Sequence, residues 1–366
     1  MPIYMDRHNI PAEITSEHVA RMHQEDLKVQ HLYGCKGMTY WCDDEKGTAF
    51  CLIEAPNKEA LKKMHDHAHG ALPHAIIEVD PMVVEAFLGR IKDPDFKGGG
   101  ELNVISESAY RIIMVSGFEY ESFTVDSSFT IALQEYFKGL IIRFEGSIVK
   151  LNKNYGLVSF KSVTNAVMCA IEIQAKFKKY ISKHKNTNLK LNIGLCTGVP
   201  FNDKGGIFDE TVKFAEWMCD IVTGPIVLSS EVRNLFESEN LNVFIADEQT
   251  HSLSPSEEKF LSILMEHIEK SWNDTDLSVE SFSKSLGFSK SQVYRKMQGL
   301  TNKSLNSFIK EYRLKKACEF MEKKKGNISE IAFETGFNSP AYFTKCFQEA
   351  YGILPSDYLK TRAINF

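Results

Sequence analysis

The chain lacks any apolar run long enough to cross a bilayer, because none reaches the roughly 18 to 20 residues that a membrane helix needs. Its first residues, MPIYMDRHNIPAE, are too polar for a secretory signal. The eight cysteines are scattered and form no C-x-x-C pair, which indicates free thiols in a reducing compartment and not a disulfide framework. These absences predict a cytoplasmic protein that does not contact a membrane.

Charge is plentiful but unevenly distributed. The net charge at pH 7 is −5, yet residues 281–366 contain 15 Lys and Arg against 7 Asp and Glu. A basic end on an acidic body indicates an anionic partner for that end, whereas the alternative interpretation is a solvated helical surface. Charge alone does not choose between these two.

Two linker-like stretches divide the sequence into three segments. KDPDFKGGGELN contains three consecutive glycines, and ADEQTHSLSPSEE is polar and contains a proline, so neither suits the interior of a helix or strand. With 366 residues, the chain is long enough for two or three domains. The predicted division is a first domain at 1–90, a linker at 91–103, a second domain at 104–245, a linker at 246–255 and a third domain at 256–366.

The first two segments alternate strand and helix patterns. In the first, PIYMDRH, GMTYWCD, TAFCLIEA and AIIEVD have strand character, and two helical patterns lie between them. This order predicts a ferredoxin-like βαββαβ domain. In the second, runs such as YRIIMVSGF and LKLNIGLCTG alternate with helical patterns such as NAVMCAIEIQAKFKKYISKH, which predicts an α/β sheet domain.

The third segment is helical throughout and contains an internal sequence repeat. SLGFSKSQVYRKM at 285–297 is similar to ETGFNSPAYFTKC at 334–346. In each copy a short helix meets a Gly turn, and Ser or Asn then caps a second helix, which predicts two helix-turn-helix units. The overall fold class is therefore multidomain α+β, with a ferredoxin-like domain, an α/β sheet domain and an all-α domain.

About 105 residues of this third segment, including IAFETGFNSPAYFTKCF and the later YG and PSDY, resemble the DNA-binding domain of the AraC/XylS family of transcription regulators. The resemblance implies double-stranded DNA as partner, a homodimer, and contact with RNA polymerase if the protein is an activator. The helix between the two units would hold both recognition helices about one DNA turn apart, in successive major grooves.

Helical periodicity then separates core from surface in the two recognition helices. Val293, Met297 and Leu300 share one inward face, and Phe343 and Phe347 have core spacing. The family pattern makes Arg313 and Leu314 structural residues. The predicted DNA contacts are Lys290, Gln292, Arg295, Lys296, Ser339, Tyr342 and Lys345, with the lysines mainly on phosphates and ordinary surface solvation as the alternative.

The middle segment resembles, more distantly, the nucleotidyl (adenylate/guanylate) cyclase domain, through FEGSIVKLNKNYGLVSF, LKLNIGLCTG and TVKFAEWM. Active members of that family hold metal ions on two Asp residues and stabilise the phosphate with Asn and Arg. Here the matching positions carry Ser116 or Gly117, Asn154, Lys213 and Trp217. A neutral amide is a poor ligand for a hard divalent cation, so the resemblance implies a degenerate domain without cyclase activity, and we expect the protein not to be an enzyme.

Histidines are concentrated in KKMHDHAHG, at 62–70. His65 and His69 are four residues apart on a predicted helix, so their imidazoles lie on one face, while His67 points to solvent. His23 on the first helix is the best third ligand and His8 is another, with His31 and Cys51 weaker. Two imidazoles suit a divalent transition metal such as Ni, Zn, Cu or Co. The alternative is a polar helix end, where histidine suits the helix dipole.

Residues 1–80 resemble a small ferredoxin-like family that is best known for nickel-binding members, through MPIYMDRH, EALKKMHDHAHG and AIIEVD. This resemblance, and not the ligand spacing, favours nickel.

The combined interpretation is a transcription regulator whose N-terminal domain captures a metal or another effector. Its rivals are a regulator that senses a nucleotide or small molecule in the middle domain, a working cyclase fused to a DNA-binding domain, and a metal storage or trafficking protein.

Overall fold

The computed structural model of the chain describes residues 1–11, 13–94, 102–120, 127–152, 154–183, 189–203, 205–241, 249–323 and 325–363. Residues 95–101 of the predicted first linker and residues 246–248 of the second lie outside the described residues. No helix within the described ranges is long and apolar enough to span a bilayer.

The N-terminal domain has the predicted βαββαβ order. Its elements are β1 (Ile3–Asn9), α1 (Ser16–Val29), β2 (Lys36–Asp43), β3 (Thr48–Glu54), α2 (Lys58–Ala68) and β4 (Ala75–Val79), with a short 3₁₀ turn at Gln30–Tyr33. The antiparallel sheet has the order β2-β3-β1-β4, so β1 is an interior strand. Asn57 caps α2 by accepting a hydrogen bond from the amide of Ala60 at 2.9 Å.

The two faces of this sheet are covered by different partners. One face, which includes Tyr40, packs with residues of α1 and α2 such as Val19 and Leu61. The other face belongs to the same buried cluster as the middle domain, and the ring of Phe50 lies 5.6 Å from that of Phe201. Because side chains alternate along a strand, neighbouring residues of β1 reach two different environments.

The middle domain is built on a six-stranded sheet of order β10-β9-β8-β5-β7-β6. Its elements are β5 (Arg111–Tyr120), α4 (Ser127–Arg143), β6 (Ser147–Asn152), β7 (Tyr155–Phe160), α5 (Val163–Lys183), β8 (Leu189–Gly198), α6 (Asp209–Ile221), β9 (Ile226–Leu228), α7 (Ser230–Glu239) and β10 (His251–Ser252). A Cβ added to Gly194 in β8 would lie 2.5 Å from the carbonyl oxygen of Ala215, so glycine permits α6 to pack closely on the sheet.

One helix that the sequence analysis did not predict, α3 (Pro81–Leu88), joins the two sheet domains. It lies at the end of the predicted first domain, but it packs on β6 and β7 of the second sheet. Buried Arg111 donates to the carbonyl oxygens of Phe87 and Leu88, at 3.2 and 3.1 Å. These bonds satisfy the last carbonyls of α3 with a cation, which is the favourable arrangement at a helix C-terminus.

The C-terminal domain is all-helical, as predicted. Its helices are α8 (Pro255–Ser271), α9 (Val279–Leu286), α10 (Lys290–Thr301), α11 (Leu305–Glu322), α12 (Ile328–Glu334), α13 (Pro340–Tyr351) and α14 (Pro355–Ala363). The first six begin with side-chain caps, from Ser254, Ser278, Ser289, Ser304, Asn327 and Ser339. Pairs α9–α10 and α12–α13 form the two predicted helix-turn-helix units, and α11 is the long helix between them.

The two units differ in what their cores contact. Leu314, Phe343 and Phe347 belong to a core that the second unit builds from its own residues and the end of α11. The core of the first unit, which includes Leu300, is continuous with residues of α6 in the middle domain such as Met218. The first unit is therefore docked on the middle domain.

Candidate metal centre and nucleic-acid interface

His65 is the centre of a buried cluster of imidazoles and carboxylates. Its Nδ1 lies 3.0 Å from Asp26 Oδ1 and 3.1 Å from His69 Nε2, and its Nε2 lies 2.9 Å from Asp6 Oδ2. The His65 side chain is only 1% exposed, and those of Asp6 and Asp26 are 0% and 5% exposed. The i, i+4 spacing thus brings the two helix histidines together, as predicted.

Three of these atoms have the separations of a metal ligand set. His65 Nδ1, His69 Nε2 and Asp26 Oδ1 are 3.0, 3.1 and 3.3 Å apart. Ligands held at about 2.1 Å from one ion would be separated by roughly 3.0 to 3.4 Å in octahedral or tetrahedral geometry. Two imidazoles and one carboxylate are the donors that Ni or Zn takes, so the residues present fit a divalent transition metal.

The opposite side of His65 has the arrangement that orients a metal-binding imidazole. Asp6 accepts from His65 Nε2, and it also accepts from the backbone amide of Cys51 at 3.3 Å. A carboxylate on the second ring nitrogen fixes the tautomer and the ring plane of a histidine ligand. Asp6 therefore leaves His65 Nδ1 as the atom directed to the candidate centre.

The charges of this cluster are strongly coupled. Burial opposes a charged imidazolium, but the nearby carboxylates of Asp6 and Asp26 outweigh burial and raise the pKa of His65 to about 10. Burial likewise opposes the charge on both carboxylates, yet the adjacent histidines hold the pKa of Asp6 and that of Asp26 below the ordinary Asp value. Without metal, His65 donates through both nitrogens at neutral pH.

The metal-free protein should lose stability as pH rises from 6 to 8. The raised pKa of His65 contributes stability that is complete below its unfolded pKa of about 6.5 and that is lost as pH rises through about 10. Over this interval the loss is on the order of 2 kcal/mol. Urea unfolding of the chelator-treated chain at both pH values measures it, and His65→Gln should show a smaller difference. Equal pH dependence in both proteins would contradict the assignment.

The other predicted ligands have different environments. His8 Nε2 lies 3.2 Å from Asp6 Oδ1, and Asp6, His8 and Cys51 form a second group of clustered donors. Burial raises the pKa of the Cys51 thiol far above its usual value, so this group offers a poor thiolate ligand. His23 belongs to neither group among the described residues, and its Nε2 is 3.3 Å from Asp93 Oδ2. His31 is exposed on the 3₁₀ turn.

Asp6 and Asp26 were missed in the sequence analysis. Asp6 interrupts the apolar pattern of an interior strand, and that interruption is a signal that could have identified it. Asp26 is an ordinary helix residue in sequence, and only its contact with α2 reveals its position. His67, predicted to point to solvent, is exposed, and its Nδ1 lies 3.1 Å from the hydroxyl of Tyr33.

In the first recognition helix, α10, the predicted inward face is confirmed. Val293, Met297 and Leu300 are buried. The exposed side chain of Arg295 lies on the opposite face, because two residues correspond to about 200° of helical rotation. Exposed Tyr294, which the sequence analysis did not select, also lies on this helix and is 61% exposed.

Three other predicted contacts on α10 already have partners within the domain. The side-chain oxygen of Gln292 accepts from the amide of Ser289 at 2.8 Å and completes a capping box. Lys296 is turned to the start of α8, where its Nζ donates to Ser256 Oγ at 2.9 Å. Lys290 pairs with Glu280 on α9. Hydrophobic periodicity could not show these local interactions.

The second recognition helix, α13, begins at Pro340, as predicted, and its cap is Ser339, whose Oγ accepts from the amide of Tyr342 at 3.4 Å. Tyr342 is 54% exposed, and Lys345 is exposed and forms a 3.9 Å ion pair with Glu349.

The two caps, at Ser289 and Ser339, align the recognition helices with an offset of 50 residues, one more than the offset of the repeated Gly-Phe pair at 287–288 and 336–337. Arg295 and Lys345 therefore occupy equivalent outward positions in the two units. Arg313, predicted to be structural, donates to the carbonyl oxygens of Trp272 and Asp274, at 2.7 and 2.6 Å.

Among the described residues, no metal ligand set lies at the middle-domain positions that were predicted to correspond to cyclase catalytic residues. Ser116 lies in β5, and Asn154 lies in the turn between β6 and β7. Lys213 and Trp217 both contact Glu269 of α8, at 2.6 and 2.9 Å. The C-terminal domain thus covers the side chains at these last two positions.

Fold and site together define a chain with a buried histidine–carboxylate cluster at one end and a paired helix-turn-helix domain at the other. A family model described as "Nickel responsive protein SCO4226-like" matches residues 4–79, and one described as "Helix-turn-helix domain" matches residues 282–361. The chain thus carries an SCO4226-like N-terminal domain and a C-terminal helix-turn-helix domain of the AraC type, which confirms both resemblances.

Individual relatives cover single parts of the chain. It is 37% identical over 107 residues to Histidine kinase P4 of Formosa agariphila, covering 29% of this chain and 8% of that protein. It is 27% identical over 103 residues to Regulatory protein SoxS of Salmonella typhimurium, covering 28% of this chain and 95% of the relative. The solved structure of SCO4226 from Streptomyces coelicolor is 35% identical, covers 21% of this chain and 94% of that one, and gives a TM-score of 0.20. The chain spans 8% and 29% of the first two curated relatives.

Proposed function

We propose that this chain is a DNA-binding transcription regulator whose affinity for DNA depends on a divalent transition metal held by the N-terminal domain. The observation that carries the proposal is the ligand set of His65, His69 and Asp26, in a chain whose other end is an AraC-type helix-turn-helix domain. Nickel is the first candidate, because the matching family model is described as nickel responsive.

The proposed metal residues are His65, His69 and Asp26 as ligands, with Asp6 orienting His65. When bound, the ion would supply a divalent positive charge between the three ligand atoms. His8 borders the site through Asp6 and through a T-shaped contact with the His65 ring, at 5.2 Å. The ion can change DNA affinity only if it binds two arrangements of the protein with different affinity.

The proposed DNA contacts centre on Arg295 and Lys345, the equivalent outward residues of α10 and α13. Arg295 suits bidentate contact with guanine, and Lys345 suits a phosphate. Tyr342 and Tyr294 are exposed beside them and offer aromatic contact area. In this proposal Lys290, Gln292, Lys296 and Ser339 contribute less to DNA binding, because each has a partner within the C-terminal domain.

Further elements of the proposal concern assembly and location. A homodimer would match a symmetric operator, and RNA polymerase would be a partner if the protein activates transcription. We place the protein in the cytoplasm, where its target DNA and reducing conditions occur together. The eight cysteines, all within the described residues, form no disulfide, which is consistent with that location.

The decisive experiment uses the full-length, tag-free chain. Duplexes selected from a random library would be compared with scrambled duplexes by fluorescence anisotropy at about 0.1 M salt, with and without nickel. We expect selected duplexes to bind at least about 1,000-fold more tightly than scrambled ones, and nickel to change that affinity at least fivefold. Equal binding of selected and scrambled duplexes would exclude sequence-specific regulation. Absence of a nickel effect would exclude only the metal dependence.

A second candidate function, sensing of a nucleotide by the middle domain, is less well supported. Lys213 and Trp217 contact Glu269, so the C-terminal domain covers the side chains at these two positions. We expect no cyclic nucleotide when the protein is incubated with ATP or GTP and Mg²⁺ or Mn²⁺, because carboxylates are absent at Ser116 and Asn154. Chromatographic detection of cyclic product above that of a heat-inactivated sample would show an enzyme after all.

A further inference from the structure

Two adjacent residues of strand β1 contact different parts of the protein, one the histidine–carboxylate cluster and the other the middle domain. Asp6 points to the helix-covered face, where it accepts from His65 Nε2. Arg7 points to the opposite face, and its Nη1 donates to the side-chain and main-chain oxygens of Asn202, at 3.0 and 3.3 Å. One peptide unit therefore separates the residue that orients the candidate metal ligand from the residue that bonds to the middle domain.

Asn202 extends this connection to α6. Its Nδ2 donates to Glu210 Oε2 at 3.0 Å, and Glu210 lies in the first turn of α6. Glu210, Lys213, Trp217 and Asp220 follow one another at steps of three or four residues, so they form one stripe along this helix. Through Asn202, the first member of the stripe is connected to Arg7 of the N-terminal domain.

The remaining members of the stripe bond to α8 and α11, the two helices that flank the first helix-turn-helix unit in the chain. Lys213 and Trp217 bond to Glu269 of α8, and Asp220 pairs with Lys315 of α11 at 3.0 Å. Just beyond the helix, the backbone amide and the hydroxyl of Thr223 both donate to the carbonyl oxygen of Leu300, in the last turn of α10, at 2.8 and 3.1 Å. The recognition helix is thereby fixed to the end of α6.

We propose that Arg7, Asn202 and Glu210 form the connection through which metal occupancy at His65 changes the docking of the first helix-turn-helix unit on α6. This inference rests on the metal-dependent function proposed above. Docking of the first unit constrains where its recognition helix can lie relative to that of the second unit, which has its own core. Two recognition helices must reach successive grooves together, so a change in docking changes DNA affinity.

The guanidinium of Arg7 is incompletely hydrogen-bonded, as we expect for a group that moves between two positions. Its Nε is buried and has no hydrogen-bond partner among the described residues. A buried donor without a partner costs roughly 1 to 3 kcal/mol, so a rearrangement that satisfies it would be favourable. Displacement of β1 on metal binding would provide such a rearrangement, because Asp6 and Arg7 are neighbours in the strand.

The test compares Arg7→Met with Arg21→Met in the full-length chain. Methionine keeps much of the apolar stem and removes the guanidinium, and Arg21 is an exposed arginine on α1 that pairs only locally with Glu17. Three quantities are measured: the nickel dissociation constant by calorimetry, the affinity for a selected duplex with and without nickel, and hydrogen exchange of the α6 amides with and without nickel. Urea unfolding establishes that both variants are folded.

We expect the wild type and Arg21→Met to show the same nickel effect on DNA affinity, at least fivefold, together with a nickel-dependent change in α6 exchange. In Arg7→Met the nickel effect on DNA should fall below twofold and the exchange change should disappear. Nickel binding and metal-free DNA affinity should stay within about threefold of wild type. Asn202→Ala breaks the same connection far from the ligands, so it should reproduce these results even if Arg7→Met weakens nickel binding.

The results distinguish a wrong connection through Arg7 from a wrong metal-dependent function. If Arg7→Met and Asn202→Ala both keep the full nickel effect, the connection is wrong and the metal-dependent regulator stands. If the wild type itself shows no nickel effect on DNA, metal dependence and this connection are both wrong, while DNA binding stands. Loss of the effect in both variants with nickel still bound supports the connection.

Discussion

Full-length protein with His69→Ala is expected to bind nickel about 100-fold more weakly than the unsubstituted chain. His69 Nε2 lies 3.1 Å from His65 Nδ1 and 3.3 Å from Asp26 Oδ1, so its loss removes one of three clustered donors. Even residues that only orient metal ligands typically contribute 10- to 100-fold to affinity, and a ligand should reach the upper end. Isothermal calorimetry on tag-free, chelator-treated protein measures the change.

His67→Ala is the matched control, because His67 lies on the same helix but is directed to the Tyr33 hydroxyl. Its nickel affinity should stay within about twofold of wild type. His65 is less suitable for this comparison, since its removal leaves Asp6 as a buried charge and could cost about 3 to 5 kcal/mol of stability. A nickel affinity that is equally reduced in both histidine variants, or in neither, would refute the proposed centre.

Arg295→Ala is expected to weaken binding to a selected duplex by about 5- to 150-fold and to relax the preference for one base pair. The reason is that a good bidentate contact to a base contributes roughly 1 to 3 kcal/mol of discrimination. Lys345→Ala should weaken all duplexes alike and reduce the slope of log K against log salt by about 0.9, as the loss of one phosphate contact requires. Anisotropy titrations at several salt concentrations distinguish the two effects.

Lys296→Ala serves as the control within the same helix, because its ammonium group bonds to Ser256 at the start of α8. We expect it to change DNA affinity less than twofold and the salt slope by less than about 0.3. A larger loss for Lys296→Ala than for Arg295→Ala would mean that the outward face of α10 does not meet the groove, and of the two contacts predicted from the sequence only Lys296 would stand.

The element order of each domain follows from local patterns. Alternating apolar residues and turn signals predicted the βαββαβ unit, and Ser and Asn caps together with the Gly-Phe turns predicted the helix-turn-helix units. These patterns are readable because each depends on residues within one or two helical turns. Helix α3 was not predicted, although its sequence has a clear Asp80 cap followed by Pro81, because the elements assigned to the first domain ended at the strand AIIEVD.

For the candidate sites, local sequence patterns predicted only part of the arrangement. The i, i+4 rule placed His65 beside His69, but His23, chosen as a third ligand because both helices cover one face, pairs with Asp93. Asp26, the acid that does join them, lies 39 residues from His65 in the chain. Periodicity likewise separated inward from outward residues in α10, yet it could not show that the ammonium group of Lys296 bonds to Ser256 of α8.

By itself, the sequence determined the three kinds of domain, their order, the histidine pair and the two recognition helices, since all of these are set by contacts between near neighbours. Only the tertiary structure decided which acids surround His65, which basic side chains of the recognition helices are exposed, and how α6 links the two ends of the chain. Those features depend on side chains that are distant in sequence and meet only when sheets and helices pack, so their partners are fixed by packing and not by spacing.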